Sequence, residues 1–359
     1  MGLAVGLRSY IIKRIIYSFI LLLLVIVVNY VIFMLMPGDP TAVLLAGFSR
    51  ESPEERQEHE RLLNELWGLN DPPEIQLLKY IRNLLTWNFG REMLGRRPIG
   101  QVMMQKLPFT VLLLGTSTLI SIIIGVILGV YAIKYRGKIF DTISVISSLI
   151  LSSLPTFWLG LLLLWIFVGE LHWLPGARAF PEEWAGGKGP IPLSLLVNPT
   201  SQTLYVNVNI NIVDAWNLFW GYLSHLILPL VTLVLFSFGG WLLLTRACML
   251  ETITEDYVIT AKAKGLTERS VLFKHALKNA SLPLITSAAL SFAFILTGAI
   301  ITETVFSYPG VGGWLWDAIN FHDYAVLMAI FYVVSIAVII ANIIADLLYG
   351  VVDPRIRYG

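Results

Sequence analysis

The architecture of this chain is indicated by the stretch Asp256-Tyr257-Val258-Ile259-Thr260-Ala261-Lys262-Ala263-Lys264-Gly265-Leu266, which lies between two long apolar runs. Its acidic residue opens the stretch and Lys262 and Lys264 lie toward its end, so both signs of charge complement a helix dipole. Alanine favours helix, and Gly265 occupies a position in which glycine commonly ends one. The stretch therefore predicts a short helix that joins two membrane-spanning segments, followed by a basic helix that restarts at Arg269.

The composition indicates an integral membrane protein. Hydrophobic residues make up 56% of the 359 residues and charged residues 14%, and the mean hydropathy is +0.74. Soluble globular chains contain about 25% charged residues. The net charge of +1 gives no reason to expect nucleic acid as a partner. Because Cys248 is the single cysteine, neither a disulfide within the chain nor a thiolate metal cluster is expected.

Apolar stretches of about 20 residues are long enough to cross a bilayer as helices. Six such stretches predict six transmembrane helices, at residues 15–36, 108–133, 143–168, 223–245, 282–301 and 324–345. The first stretch is too long for the apolar part of a secretion signal and lacks a small-residue cleavage site, so we expect it to remain as the first span.

Basic residues cluster on one side of these predicted spans. With the N-terminus inside, the cytoplasmic side receives the Lys and Arg residues of 8–14, 134–138, 246–278 and 355–357, whereas the loop at 303–323 contains none. Because short basic loops stay in the cytoplasm, both termini are predicted to be cytoplasmic.

The predicted spans divide the chain into three parts. Residues 1–36 hold the N-terminus and the first span, residues 37–107 form an extracytoplasmic segment, and residues 108–359 form a core of five spans. The core includes an external loop at 170–222 and a cytoplasmic coupling loop at 247–281.

Two of the external segments carry patterns of their own. The extracytoplasmic segment predicts helices over residues 52–67 and 74–87, each of them preceded or opened by proline. In the external loop, polar and apolar residues alternate over residues 203–212, which predicts a short hairpin or an edge strand.

The helix predicted within residues 256–266 carries small side chains, which suit insertion into a cleft of a soluble partner. Movement of that partner would tilt the adjoining spans as levers. The alternative is an ordinary basic cytoplasmic loop that is helical because Ala and Lys favour helix. Composition alone leaves both alternatives open.

Five separated motifs give the chain a resemblance to a known family. Residues 257–266 match the pattern Tyr-Val-x-Thr-Ala-x-Ala-Lys-Gly-Leu at every fixed position. The other motifs are Pro-Gly-Asp-Pro at 37–40, Leu-Pro-Thr-Phe-Trp-Leu-Gly at 154–160, Glu-Thr-Val-Phe-Ser-Tyr-Pro-Gly-Val-Gly at 303–312 and Asp-Pro-Arg-Ile-Arg at 353–357. The chain resembles ABC-importer permeases, and within them the B-type permease subunits of dipeptide and oligopeptide uptake systems.

This resemblance implies an all-α integral membrane protein of the type I ABC importer permease kind, with six transmembrane helices and an extracytoplasmic domain between helices 1 and 2. It implies the inner membrane of a prokaryotic cell, and as partners the lipid bilayer, a second homologous permease subunit, two ABC ATPase subunits that bind the ATP, and an extracytoplasmic substrate-binding protein. Short peptides are the expected substrate, with oligosaccharides or nickel as alternatives. The residues implied to couple to the ATPases are Asp256, Tyr257, Thr260, Ala261, Lys262, Ala263, Lys264, Gly265 and Leu266.

Polar residues within spans are costly unless they face protein or a water-filled path. The candidate pathway residues are Ser148, Ser152, Ser153, Pro155, Phe157, Thr297 and Glu303. Pro155 is also expected to kink its helix. The alternatives are hydroxyl groups that bond carbonyls of their own helix, an interfacial position for Glu303, and close packing at Gly125, Gly129 and Gly298.

Catalytic motifs are not found in the sequence. It contains no Gly-x-x-x-x-Gly-Lys-Ser/Thr loop, and its histidines lie too far apart for a metal motif. We therefore expect neither an enzyme nor a cofactor of its own. Two rival classes stay open: a secondary transporter, which needs intramembrane charges or interrupted helices, and a membrane-anchored scaffold that binds a partner through its external loops.

Overall fold

Helices make up most of the described chain. The computed structural model describes residues 3–35, 53–68, 70–93, 97–178 and 212–352. The α-helices in chain order are α1 (Leu3–Leu35), α2 (Pro53–Trp67), α3 (Pro73–Leu85), α4 (Ile99–Lys134), α5 (Ile139–Ser153), α6 (Thr156–Leu164), α7 (Ile212–Thr252), α8 (Asp256–Ala263), α9 (Leu277–Ala293), α10 (Ile300–Val305), α11 (Val311–Asn320) and α12 (Tyr324–Val352).

Shorter helical turns extend or precede these helices. A π-helical turn at Trp165–Glu170 extends α6, and the turns Glu268–Ser270 and Val271–Ala276 lead into α9. A 3-10 turn at Phe294–Thr297 follows α9. Pairing of the β type among the described residues is limited to one bridge, between Arg91 and Pro98. The predicted all-α class is confirmed.

Three helices in the described ranges are long and apolar enough to cross a membrane: Ile99–Lys134, Phe219–Thr252 and Tyr324–Ile344. A fourth span results if the bent pair Ile139–Ser153 and Thr156–Glu170 is counted as one. Within α1, the apolar part is the shorter Ile16–Ile32. By length and composition, the described helices therefore supply three or four spans, whereas the sequence predicts six.

The predicted third span is sharply bent. Helices α5 and α6 meet at 96°. Pro155 lacks the N–H that a continuous helix needs, and it restricts Leu154 to the extended backbone that is observed, with φ −75° and ψ 136°. The kink predicted at Pro155 is confirmed.

The predicted fifth span at residues 282–301 is wrong as a continuous helix. Helix α9 ends at Ala293, and the chain breaks at Gly298 before α10 begins. Gly298 has a φ of +75°, and a Cβ there would lie 2.6 Å from the backbone nitrogen of Gly312. Glycine is required by both the left-handed backbone and the close approach, so an apolar run that looks continuous in sequence is interrupted.

Two predicted loop boundaries also change. Helix α7 begins at Ile212, so the external loop predicted to reach residue 222 ends before that helix. Ile212 is helical, and the rest of the strand predicted at 203–212 lies outside the described residues. Helix α7 runs on to Thr252 and takes in the start of the coupling loop predicted at 247–281. The two helices predicted in the extracytoplasmic segment are confirmed as α2 and α3.

Glycines bring three helices into close contact. A Cβ at Gly125 of α4 would lie 2.7 Å from the Phe238 carbonyl oxygen of α7, and one at Gly129 would lie 2.9 Å from the Leu242 carbonyl oxygen. On the other face of α7, a Cβ at Gly239 would lie 2.8 Å from the carbonyl oxygen of Ser148. The alternative of close packing is thus confirmed for Gly125 and Gly129.

The bundle has two ends. The α8 end is formed by residues 135–138 and 253–270, and the α11 end by residues 86–93, 97–98 and 306–323. At the α11 end, α3 and the residues that follow it pack onto the long helices through aromatic side chains. The ring centroid of Tyr80 lies 5.7 Å from that of Tyr30 on α1, and Phe89 lies 6.0 Å from Tyr332 on α12.

Candidate functional site

Helix α8 has the start and the end that its sequence predicts. Glu255 is extended and precedes Asp256 in the first turn. At the other end, the N–H of Gly265 donates to the Lys262 carbonyl at 2.9 Å, and the N–H of Leu266 donates to the Ala261 carbonyl at 3.4 Å. With Gly265 at φ +73°, these two bonds form a Schellman motif. The helix-ending role predicted for Gly265 is confirmed.

One face of α8 is fixed to the rest of the protein. Val258 and Ala261 are buried in an apolar cluster that also contains Val130 and Ile133 of α4 and Met249 of α7. The π-helical turn before α9 completes the cluster with Val271, Leu272 and Ala276. Because α8 contacts three elements through one small apolar face, a displacement of α8 acts on all of them.

The opposite face of α8 is open. Tyr257, Ile259 and Leu266 are 38%, 54% and 40% exposed. The other exposed residues of the stretch are Asp256, Thr260, Lys262, Ala263 and Lys264. The small-residue face predicted from both alanines is corrected, because Ala261 points into the chain's own core and Ala263 alone remains outside. The free face therefore combines large apolar side chains with lysines.

Contacts beyond the apolar cluster tie the α8 end together. The ammonium of Lys134 lies 3.4 Å from the Glu268 carboxylate, which joins the end of α4 to the turn before α9. The rings of Tyr131 and Phe273 meet edge to face at 6.0 Å. The α8 end is thus one connected unit rather than a loose loop.

An ion pair that the sequence analysis did not anticipate also lies near the α8 end. Arg246 on α7 donates two hydrogen bonds to Asp141 on α5, from Nε to Oδ1 at 2.7 Å and from Nη2 to Oδ2 at 3.0 Å. The N–H of Gly137 donates to the same Oδ2 at 3.0 Å. The available signal was an isolated acid and an isolated arginine near the ends of two apolar helices, but their pairing required the fold.

The serines proposed for the pathway differ in position. Ser148 is fully buried against Gly239 of α7, and its hydroxyl donates to the Ser144 carbonyl at 2.7 Å. Ser152 and Ser153 are exposed, and both donate to the carbonyl of Leu149. In this conformation Ser148 belongs to the contact between α5 and α7, whereas the other two serines lie on the accessible surface.

The remaining pathway candidates lie at breaks in the helices. Pro155 is exposed at the bend between α5 and α6, and Phe157 in the first turn of α6 is 44% exposed. Thr297 ends the 3-10 turn after α9, and its side chain lies outside the described residues. A role in the pathway stays a prediction for all of these residues.

Glu303 is enclosed rather than interfacial. Its side chain is fully buried, and Oε1 accepts hydrogen bonds from the Thr110 hydroxyl at 3.0 Å and the Ala299 N–H at 3.4 Å. Oε2 accepts from the Gly313 N–H at 2.9 Å. Burial raises the pKa of the Glu303 carboxyl, and the hydrogen bonds from Gly313 and Thr110 oppose that rise.

The glycines that follow Glu303 make this enclosure possible. The Thr110 hydroxyl accepts from the Val311 N–H at 2.7 Å while it donates to Glu303. A Cβ at Gly310 would collide with the Glu303 carboxylate and would lie 2.5 Å from the Thr110 hydroxyl. We name this arrangement of Thr110, Glu303 and residues 310–313 the Glu303 clasp. It joins α4 to the interrupted segment around Gly298.

The described part of the chain contains no group of three or more His, Cys, Asp or Glu side chains arranged to hold a metal ion. What it offers is mechanical: a short helix with one fixed and one free face, an ion pair near the same end, and a clasp at the opposite end.

Comparison of the chain with known proteins identifies its family. Residues 121–358 match the family described as binding-protein-dependent transport system inner membrane component, and residues 7–113 match the N-terminal region of such membrane components.

Individual relatives agree over nearly the full length. The chain is 33% identical to the oligopeptide transport system permease protein AppB of Bacillus subtilis (strain 168), over 98% of this chain and 99% of the relative. It is 34% identical to the dipeptide transport system permease protein DppB of Alkalihalophilus pseudofirmus, over the same shares. It is 36% identical to DppB of Escherichia coli (strain K12), over 90% of this chain and 91% of the relative. The chain belongs to the family of binding-protein-dependent transport system inner membrane components.

Proposed function

We propose that this chain forms one half of the translocation pathway of an ATP-driven importer of short peptides, with six transmembrane helices, both termini in the cytoplasm and an extracytoplasmic domain between the first two helices. Its partners are a second homologous permease, two ATPase subunits and an external substrate-binding protein. The peptide substrate is supported by the names of the relatives, which are dipeptide and oligopeptide transport permeases.

The observation that carries the proposal is the two-faced helix α8. Its inner face is fixed to α4, α7 and the turn before α9, and its outer face presents Tyr257, Ile259 and Leu266. Exposed apolar side chains beside lysines are suited to a groove on a soluble partner. An ATPase that moves α8 would therefore move the ends of the helices to which it is fixed.

Two breaks give the helices places at which to change direction. One is the 96° bend between α5 and α6, and the other is the interruption at Gly298. Movement about these points would open the pathway alternately to each side of the membrane. In this scheme the exposed residues Ser152, Ser153 and Phe157 are the candidates for contact with the moving peptide.

Uptake by reconstituted vesicles tests the proposal. The chain is reconstituted with its second permease, its ATPases and its binding protein, and the uphill uptake of a labelled dipeptide is measured with ATP and with a non-hydrolysable analogue. We expect the complete transporter to take up the dipeptide with ATP but not with the analogue. Vesicles that hold this chain by itself should take up none. Competition with unlabelled peptide, oligosaccharide or nickel identifies the substrate class.

One structural feature favours a secondary transporter as the second candidate. Interrupted helices at the membrane are typical of such transporters, and the break at Gly298 is one. A secondary transporter would drive uphill uptake with an ion gradient and without ATPases. Ion-driven uptake by the chain alone would therefore replace the proposed function with this one.

A further inference from the structure

A charged cavity of about 230 Å³ lies at the α11 end. It is walled by the segment before α4, by the first turns of α4, and by α11 with the residue before α12. Its charged and aromatic lining consists of Glu92, Arg97, Lys106, Trp314, Asp317 and Asp323. None of these residues belongs to α8 or to the Glu303 clasp.

Glu92 is held in place by two donors. The Nε of Arg97 donates to its Oε1 at 2.7 Å, and the indole N–H of Trp314 donates to its Oε2 at 3.1 Å. The Glu92 side chain is only 5% exposed. One wall of the cavity is therefore a fixed, neutralised pair.

Asp323 is satisfied by the backbone. Its Oδ2 accepts from the Met93 N–H at 2.7 Å and its Oδ1 from the Val326 N–H at 3.2 Å. These bonds join the segment before α4 to the start of α12. A second wall is thus also fixed before any ligand binds.

Two charged groups of the lining remain available. Among the residues that the structure describes, neither the Lys106 ammonium nor the Asp317 carboxylate forms a hydrogen bond or an ion pair, and they do not pair with each other. Both residues line the same cavity, so one small molecule bound in it can reach both. Within the described part of its lining, the cavity therefore presents one free cation and one free anion.

We propose that this cavity binds a small zwitterion that carries a free carboxylate and a free ammonium, namely an amino acid or the free ends of a short peptide. Lys106 bonds the carboxylate and Asp317 bonds the ammonium, and such charge-assisted hydrogen bonds are the strong ones. A volume of 230 Å³ holds roughly eight water-sized groups, which matches a ligand of this class. The inference rests on the proposed function and assigns a receiving site to its substrate.

The position of Lys106 connects this site to the interrupted segment. Lys106 and Thr110 are four residues apart on α4, so they share one face of that helix. Thr110 is the residue of α4 that holds Glu303. A ligand bound at Lys106 would thus lie one helical turn from the Glu303 clasp.

Three related probes test the assignment on the full-length chain in lipid nanodiscs. Saturation-transfer NMR titrations use glycylglycine, N-acetylglycylglycine, which lacks the ammonium, and glycylglycinamide, which lacks the carboxylate. The variants are Lys106→Met and Asp317→Asn, and Lys278→Met, at an exposed position on α9, is the control.

We expect each cavity variant to weaken glycylglycine binding by about tenfold, because each removes one charge-assisted contact. Lys106→Met should leave the binding of glycylglycinamide unchanged, and Asp317→Asn should leave that of N-acetylglycylglycine unchanged. Lys278→Met should bind all three probes as the unaltered chain does.

Equal affinity for the three probes, or no weakening in either cavity variant, would overturn the assignment, as would a chain that binds none of them. ATP-driven dipeptide uptake by the complete transporter is measured in parallel. Uptake without binding in the cavity would contradict the proposed receiving site and leave the proposed function standing. A complete transporter that takes up no peptide removes the proposed function itself.

Discussion

Arg246 and Asp141 are 105 positions apart in the chain, yet the Arg246 guanidinium donates hydrogen bonds to both carboxylate oxygens of Asp141, at 2.7 and 3.0 Å. The Asp141 side chain is 7% exposed and that of Arg246 27%. The pair joins α7 to the first turn of α5, and through the N–H of Gly137 it also holds the turn between α4 and α5. It therefore holds two helices and the turn between α4 and α5 together near the α8 end.

Asp141→Asn should lower the free energy of unfolding by about 2 kcal/mol, because it leaves a largely buried arginine without its anion. For a chain of this size we expect the melting temperature in detergent to fall by about 3 °C. Glu65→Gln is the control, since it breaks the exposed pair of Arg61 and Glu65, whose N–O distance is 3.1 Å. That change should cost less than about 0.5 kcal/mol. Equal shifts in the two variants would show that the clamp adds no stability.

Gly265→Val should uncouple uptake from ATP hydrolysis while the chain still inserts in the membrane. The substitution places a branched side chain at φ +73°, which costs about 2 kcal/mol locally and disrupts the Schellman motif that ends α8. ATPase activity and peptide uptake by the reconstituted transporter measure the coupling.

Gly137→Val is the matched control for that variant. Gly137 has a φ of +74°, and at both glycines no described atom lies within 4 Å of the position that a Cβ would take. The two substitutions should therefore strain the backbone equally, but Gly137 is not part of α8. ATP-driven uptake at the normal rate by the Gly265→Val protein would refute the coupling role.

The two alanines of α8 should respond in opposite ways to enlargement. Ala261→Leu overpacks the cluster around Val258 and Met249 and should destabilise the protein by about 1–3 kcal/mol. Ala263→Leu adds its atoms to the exposed face, so it should leave the melting temperature unchanged and reduce the ATPase activity that depends on the permease. If Ala263→Leu lowered the melting temperature as much as Ala261→Leu, the assignment of the two faces would be wrong.

The sequence was sufficient for features that depend on neighbouring residues. The start of α8 follows from the acidic residue that complements the helix dipole, and its end follows from a glycine in the left-handed conformation at Gly265. The kink follows from the missing N–H of Pro155. The direction in which Ala261 faces was not available, because an eight-residue helix of small and apolar residues gives no clear periodicity.

Features formed between distant parts of the chain were not predictable in the same way. The bond between Thr110 and Glu303 joins residues 193 positions apart, and the break at Gly298 exists because Gly312 lies against it. Within the sequence, both glycines lie among apolar or small residues that fit a span or a loop equally well. The fold was needed to show that Glu303 is enclosed and that the fifth predicted helix is interrupted.

The Glu303 clasp should be sensitive to small changes on either side of its hydrogen bonds. In Glu303→Gln the amide would turn an N–H group toward a donor, the Gly313 N–H or the Thr110 hydroxyl, so we expect a loss of about 1–3 kcal/mol. Gly310→Ala should be at least as damaging, because its Cβ would occupy the space of the carboxylate. Gly115→Ala on α4 is the control: no described atom lies within 4 Å of that Cβ, and alanine is the better helix former by up to about 1 kcal/mol. Melting temperatures of the three purified variants decide the matter. A Gly310→Ala protein as stable as Gly115→Ala would mean that the segment around Gly298 can move away from Glu303 at little cost, and that the carboxylate is free to face the pathway after all.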